Sequence, residues 1–185
     1  MSKAVGPAPT FAPAALVASP AMPDRRVPIR HTRRRTISRV EAEYRALDRV
    51  VRRLGARLNE DVPGFGDRAR IKRERWTGKD ALAHIVAWKQ HQLRTLRREK
   101  HDATLRGKPI DVQNRMLYRR WHRRTVRDVI AYHRSVHRDV IAALRARPQS
   151  YFADPPRSPI WPNDLVGHAA DHRERHLGTL LDQRP

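Results

Sequence analysis

The chain contains no cysteine among its 185 residues. That excludes disulfides, thiolate metal sites and a cysteine nucleophile. Acidic residues are scarce as well: 19 Asp plus Glu stand against 40 Lys plus Arg, a formal charge of +21. Such an excess raises a polyanion partner, either nucleic acid or an anionic membrane surface. The basic residues form no single block, however, and a solvated Arg-rich surface accounts for them better. No stretch reaches the roughly 18 apolar residues that a membrane span needs. Helix-turn-helix spacing is missing, and so are aromatics interleaved with basic runs; Trp121 alone is well placed beside a basic patch. There is no strand signal and no internal repeat.

What remains is helical periodicity in a chain long enough for one domain with a core, at 39% hydrophobic residues. Residues 1–36 read as a disordered leader, rich in Pro and Ala and ending on Arg25, Arg26, Arg30, Arg33, Arg34 and Arg35. The segment Phe11 to Met22 is fairly apolar, but prolines interrupt it and the arginines follow it, unlike a secretory peptide. The expectation is a cytoplasmic protein with a flexible tail, or a misplaced start codon.

Residues 37–185 are expected to form the folded domain. Helix one is predicted from Ser38 to Asn59, with Ser38 and Glu41 as a capping box. Its apolar seam is Ile37, Val40, Tyr44, Leu47, Val51, Leu54 and Leu58. A Pro63–Gly66 loop ends it. Helix two starts at Thr77, with Asp80 as the third helical residue, and runs to Glu99. Leu82, Ile85, Val86, Leu93 and Leu96 form its core stripe, with His84, Trp88 and His91 alongside. A short helix follows from Asp111 to Trp121. Helix three starts at Thr125, with Asp128 three residues on, and ends near Arg147. After a proline-rich segment, helix four is predicted from Pro162 to Leu181. The sum is all-α: a four-helix bundle with one short extra helix.

The last helix concentrates the chemistry. His168, His172 and His176 stand four residues apart, so an α-helix stacks them on one face. Adjacent members, either His172 with His176 or His168 with His172, can grip one ion. All three cannot, because His168 and His176 lie roughly 12 Å apart along the axis. A third ligand must come from another helix. His84 of helix two is the first choice; His133 and His137 of helix three, also four apart, are its rivals, and His91 lies too far from His84 to join it. H-x-x-x-H alone is a weak signal in a chain with ten histidines. Three neutral imidazoles would leave open positions for water or substrate, the pattern of a catalytic site. Asp171 and Glu174 point away from the pair and read as partners of Arg173 and Arg175. No general acid or base is identifiable. Arg115, Arg119, Arg120, Arg123 and Arg124 form the densest basic patch, suited to an anionic thiol or a phosphate backbone, or simply to solvent.

The stretch Trp76-Thr-Gly-Lys-Asp-Ala-Leu-Ala-His84-Ile-Val-Ala-Trp88 resembles the second-helix motif of DinB-like four-helix bundle proteins. Asp111-Val-Gln-Asn114, ahead of a basic helix and then Thr125-Val-Arg-Asp-Val-Ile, is similar to the middle of the ClbS/DfsB branch, and His172-Arg-Glu-Arg-His176-Leu-Gly to the family's last helix. The likeness spans Ile37 to the end. It implies a divalent metal, nickel or zinc, on His84, His172 and His176, and a small-molecule substrate. Related members include isomerases and transferases that use a low-molecular-weight thiol, the maleylpyruvate isomerase N-terminal domains among them, and resistance proteins that open a genotoxin's cyclopropane. The activity so implied is that of a metal-dependent transferase, isomerase or hydrolase with a detoxification role. Several ClbS-like proteins lack the metal histidines, which leaves a metal-free protective role open beside it. Asn114, Tyr118 and Trp88 are the candidate substrate-binding residues; Asn114 and Tyr118 begin the short helix and suit the bundle mouth, or equally a plain capping or packing role. Nucleic acid met through the basic surface and a homodimer remain open as partners. The chain departs from the family in its strong positive charge and in its additional His168.

Overall fold

The computed structural model describes residues 31–62, 74–153 and 157–183. They form an all-α bundle. The long helices are α1 (Arg33–Leu54), α2 (Gly78–Arg97), α3 (Ile110–Trp121) and α4 (Val126–Ala146). A single turn, α5 (Ser150–Ala153), precedes the C-terminal helix. That helix has three parts: α6 (Gly167–His172), a π-helical stretch (Arg173–Gly178) and α7 (Thr179–Asp182). Residues 1–30, most of the expected leader, and the Pro63–Gly66 loop lie outside the described residues.

Local chemistry sets most helix ends. The Thr77 hydroxyl accepts from the Asp80 amide, and the Asp80 carboxylate accepts from the Thr77 amide. Thr125 and Asp128 form the same box at the start of α4. Each box satisfies two donors that a helix start otherwise leaves bare. Arg98, in the left-handed region at φ 59°, ends α2.

Two starts differ from the sequence expectation. α1 begins at Arg33, capped by Thr32, and the Ser38/Glu41 box is not used. The reason is long-range. The His31 amide donates to the Phe152 carbonyl, and Thr36 is fully buried, so the chain is already docked before Ser38. The regular C-terminal helix begins at Gly167, not Pro162. Pro162 caps a short 3₁₀ turn (Asn163–Leu165), and Val166 leaves the helical region at φ −128°.

α2 is the central rod. It packs most extensively on α4 and also meets α3 and the C-terminal helix; α1 closes the other side against α4 and the C-terminal helix. Leu47, Leu58, Leu82, Ile85, Leu93, Leu96, Leu144, Leu177 and Leu180 are fully buried. Each such side chain contributes roughly 1.5–3 kcal/mol of burial free energy. Gly78 sits where α2 crosses the chain after α1: a Cβ there would lie 3.3 Å from the Leu58 Cα.

Candidate metal centre

α2 supplies the first ring. Asp80 fixes the helix start, and His84 follows one turn later on the same buried face, 5% exposed. The C-terminal helix supplies the others. One nitrogen from each of His84, His168 and His172 lies within 4.8 Å of the other two. The ring centroids are 4.7 Å apart for His84 and His172, 5.3 Å for His84 and His168, and 4.5 Å for His168 and His172.

His176, the third member of the ligand set that the family pattern implies, stands beside this trio. It stacks on His172 at 5.1 Å, with planes 29° apart. The helix changes character between them: the π-helical stretch starts at Arg173 and alters the angular step that a plain α-helix would give. Of the two ways of pairing neighbours along the stack, the one that includes His168 gives the converging trio.

The imidazoles are held neutral. Burial keeps His84 well below its ordinary range, and the rings of His172, His168 and His176 add to the effect. Burial, then His168 and His176, push His172 down to about 3. His168 and His176 are lowered chiefly by burial, against the opposing charges of Asp164 and Asp171. Neutral imidazoles keep a lone pair for an ion. The Nδ1 of His168 is buried and has no hydrogen-bond partner among the described residues. The donor chemistry therefore fits a divalent ion of intermediate hardness such as nickel or zinc.

The candidate substrate-binding residues fall at different distances from the trio. Trp88 lies edge-on to His84 at 6.3 Å and to His168 at 6.2 Å, and forms one wall. Tyr118 is separated from His84 by Trp76. It packs on Trp76 at 4.9 Å, and Trp76 lies edge-on to His84 at 5.9 Å. The Tyr118 hydroxyl donates to the Arg75 carbonyl. Asn114, one turn before Tyr118, keeps a buried side-chain oxygen without a hydrogen-bond partner among the described residues. The rival histidines are elsewhere. His133 and His137 stack on Tyr44 of α1 at 4.7 and 3.6 Å, and His91 stacks on His101 at 4.1 Å. Arg175 pairs with Asp171 at 2.7 Å and Arg173 with Glu174 at 3.1 Å, as expected.

Several neighbours escaped the sequence reading. Arg173 makes a bidentate pair with buried Glu43 of α1, at 2.9 and 3.0 Å, and so anchors the C-terminal helix beside His172. His122 donates through Nδ1 to the Asp80 carboxylate at 2.9 Å, while Lys79 donates to the His122 carbonyl. Lys89 is buried. Its signal was legible: Leu82, Val86, Leu93 and Leu96 leave one core position vacant in the three-and-four rhythm, and Lys89 occupies it.

A family model described as the DinB superfamily matches residues 41–180, and it names no branch within the superfamily. Searches of curated proteins and of solved structures returned no match.

Proposed function

The chain belongs to the DinB superfamily, and from that premise we propose that it is a metal-dependent enzyme acting on a small molecule. The reaction class is thiol-dependent transfer or isomerisation, or hydrolysis, in a detoxifying role. The observation that carries the reading is the convergence of three neutral imidazoles from two helices within 4.8 Å. His84, His168 and His172 would hold the ion, with His176 as the ligand that the family pattern implies in place of His168. A nickel or zinc ion bound there supplies Lewis acidity and a lowered pKa for a coordinated water or thiol.

The chain's own residues do the rest. Burial of His84, 5% exposed, keeps its ring out of water. Trp88 limits the space beside His84 and His168. The Glu43–Arg173 pair fixes the C-terminal helix against α1 and so fixes where His172 stands. Such positioning by surrounding groups is what holds metal ligands in register.

Elemental analysis of protein purified without an affinity tag tests the reading. About one divalent ion per chain is expected, and none in His84→Ala. A metal-free wild type would remove the enzyme reading. It would favour instead a ClbS-like protective role without metal, seen as survival of cells exposed to a DNA-damaging compound.

A second reading, a basic nucleic-acid-binding bundle, draws on the +21 charge and on a surface cleft of about 330 Å³ lined by Arg120, Trp121, Arg124, Asp128 and Ala131. Binding to random duplex that weakens steeply with salt would support it. Arg120 is partly committed already, to Asp102 at 2.8 Å. No helix of the described residues is long and apolar enough to cross a membrane.

A further inference from the structure

α1 and α4 together hold twelve arginines against five acids. Each of the five acids is already engaged. Glu41 meets Arg45 at 3.9 Å and Arg145 at 3.8 Å, Asp48 meets Arg52 at 2.6 Å, and Glu43 meets Arg173 at 2.9 Å. On α4, Asp139 pairs with Arg97 at 3.1 Å, and Asp128 caps its own helix. The surplus of positive charge therefore faces water.

The helical step decides where it faces. Arg127, Ala131, Arg134, Arg138, Ala142 and Arg145 recur at intervals of three and four, so they share one face of α4, and all six are exposed. Arg34, Arg45, Arg49 and Arg52 line one exposed face of α1 in the same way. The two stripes run side by side and antiparallel. Tyr44 of α1 stacks on His137 of α4 at 3.6 Å, with planes 7° apart, and Glu41 of α1 reaches Arg145 of α4. Tyr44 directly precedes Arg45, and His137 directly precedes Arg138, so the stack fixes how the stripes lie against each other. No local run announces this face; packing of the two helices assembles it.

The chemistry selects the partner. The α4 stripe is roughly 27 Å long at about 1.5 Å per residue. Duplex nucleic acid carries one negative charge per about 1.7 Å of its axis, so phosphates are available along the whole stripe. Guanidinium forks match phosphate oxygens, and the two alanines add no bulk between them. A helix that lies on a bilayer needs apolar side chains to enter it. Among the described residues the exposed large hydrophobic side chains are Ile110 and Ile160, and neither belongs to α1 or α4.

We propose that the α1–α4 face, with Arg134 and Arg138 beside Arg45 and Arg49, docks on the phosphate backbone of duplex nucleic acid. The inference rests on the nucleic-acid reading and moves its contact from the Arg120 cleft to this face. It is independent of the metal reading.

Fluorescence anisotropy of a short random duplex, titrated with the full-length chain at about 0.15 M salt, tests it. Arg134→Gln/Arg138→Gln and Arg45→Gln/Arg49→Gln each weaken binding about tenfold or more. Each also lowers the slope of log affinity against log salt by about 2. Arg123→Gln/Arg124→Gln, at the cleft, removes the same charge and weakens binding less than about threefold. All three variants melt close to the wild type, since the replaced side chains are exposed. Chelator-treated protein gives the same ranking. A wild type that ignores the duplex overturns the inference together with the nucleic-acid reading. Binding that falls equally in all three variants, or falls most at the cleft, overturns the inference and leaves that reading standing. Preference for phosphatidylserine vesicles over duplex, lost with the same arginines, overturns it in favour of a membrane surface.

Discussion

The two halves of α2 treat buried polar groups in opposite ways. In the first turn, Asp80 is 2% exposed, and one of its oxygens accepts from the Thr77 amide, the Thr77 hydroxyl and His122. Lys79 beside it reaches the His122 carbonyl. Further along the same helix, Lys89 is 6% exposed and has no ionic partner among the described residues, and buried His133 of α4 has neither ring nitrogen hydrogen-bonded among them. The first arrangement is a joint: it ties the start of α2 to the end of α3. The second leaves its polar groups without that mutual compensation. Buried polar groups that satisfy one another stabilise a fold, whereas those left unsatisfied cost it stability.

The strongest way to break that contrast is Asp80→Ala. The change strips the cap of α2 and strands the His122 ring, so stability falls by about 3 kcal/mol. Urea denaturation measures it. A loss no larger than that of an exposed cap would show that the joint carries little.

The next effect concerns which imidazoles act together. Zinc at a hundredfold excess over its dissociation constant stabilises the folded chain by about 2.7 kcal/mol. His168→Ala loses that gain, and His176→Ala keeps most of it, because His168 and not His176 shares the 4.8 Å convergence. Thermal melts with and without zinc give the ranking. The reverse order would restore His172 and His176 as the gripping pair.

A smaller effect separates the interior from the surface by acidity. Burial pushes His133 down to about 3, with Lys89 adding to the push. The unfolded chain takes up that proton near pH 6.5, whereas the folded chain resists until about pH 3. The folded form is therefore penalised as the pH falls through that window, and the penalty is complete below it. In chelator-treated His133→Phe the decline between about pH 6 and pH 5 is shallower by roughly 1 kcal/mol. Parallel denaturation curves for the two proteins would place the His133 ring in contact with solvent.

How far these features could be read in advance depended on their range. The two capping boxes, Thr77 with Asp80 and Thr125 with Asp128, are three residues long, and both form as expected. The meeting of His84 with the last helix was legible because each ring borders an apolar stripe, and such stripes face a shared core. The start of α1 was not. Ser38 and Thr32 are both acceptable caps, and the choice rests on His31 meeting Phe152 across the whole chain. The π-helical stretch and the Glu43–Arg173 pair escaped for the same reason: neither has a local signature around residues 173–178. Lys89 is different. Its position on the stripe was visible, and a rule that expects charges outside passed over it.

The smallest expected effect lies one turn from the largest chemistry. Arg175 sits on the last helix between His172 and His176, yet it pairs with Asp171 at 2.7 Å while two-thirds exposed. An exposed pair of this kind contributes less than about 0.5 kcal/mol, since water screens it and both side chains give up freedom to form it. Arg175→Ala should therefore leave the urea midpoint and the zinc content nearly unchanged. If zinc binding instead tightens or weakens several-fold, the charge outside the helix is felt by the imidazoles inside it, and the separation between a solvated exterior and a neutral, desolvated interior does not hold even at neighbouring positions on one turn.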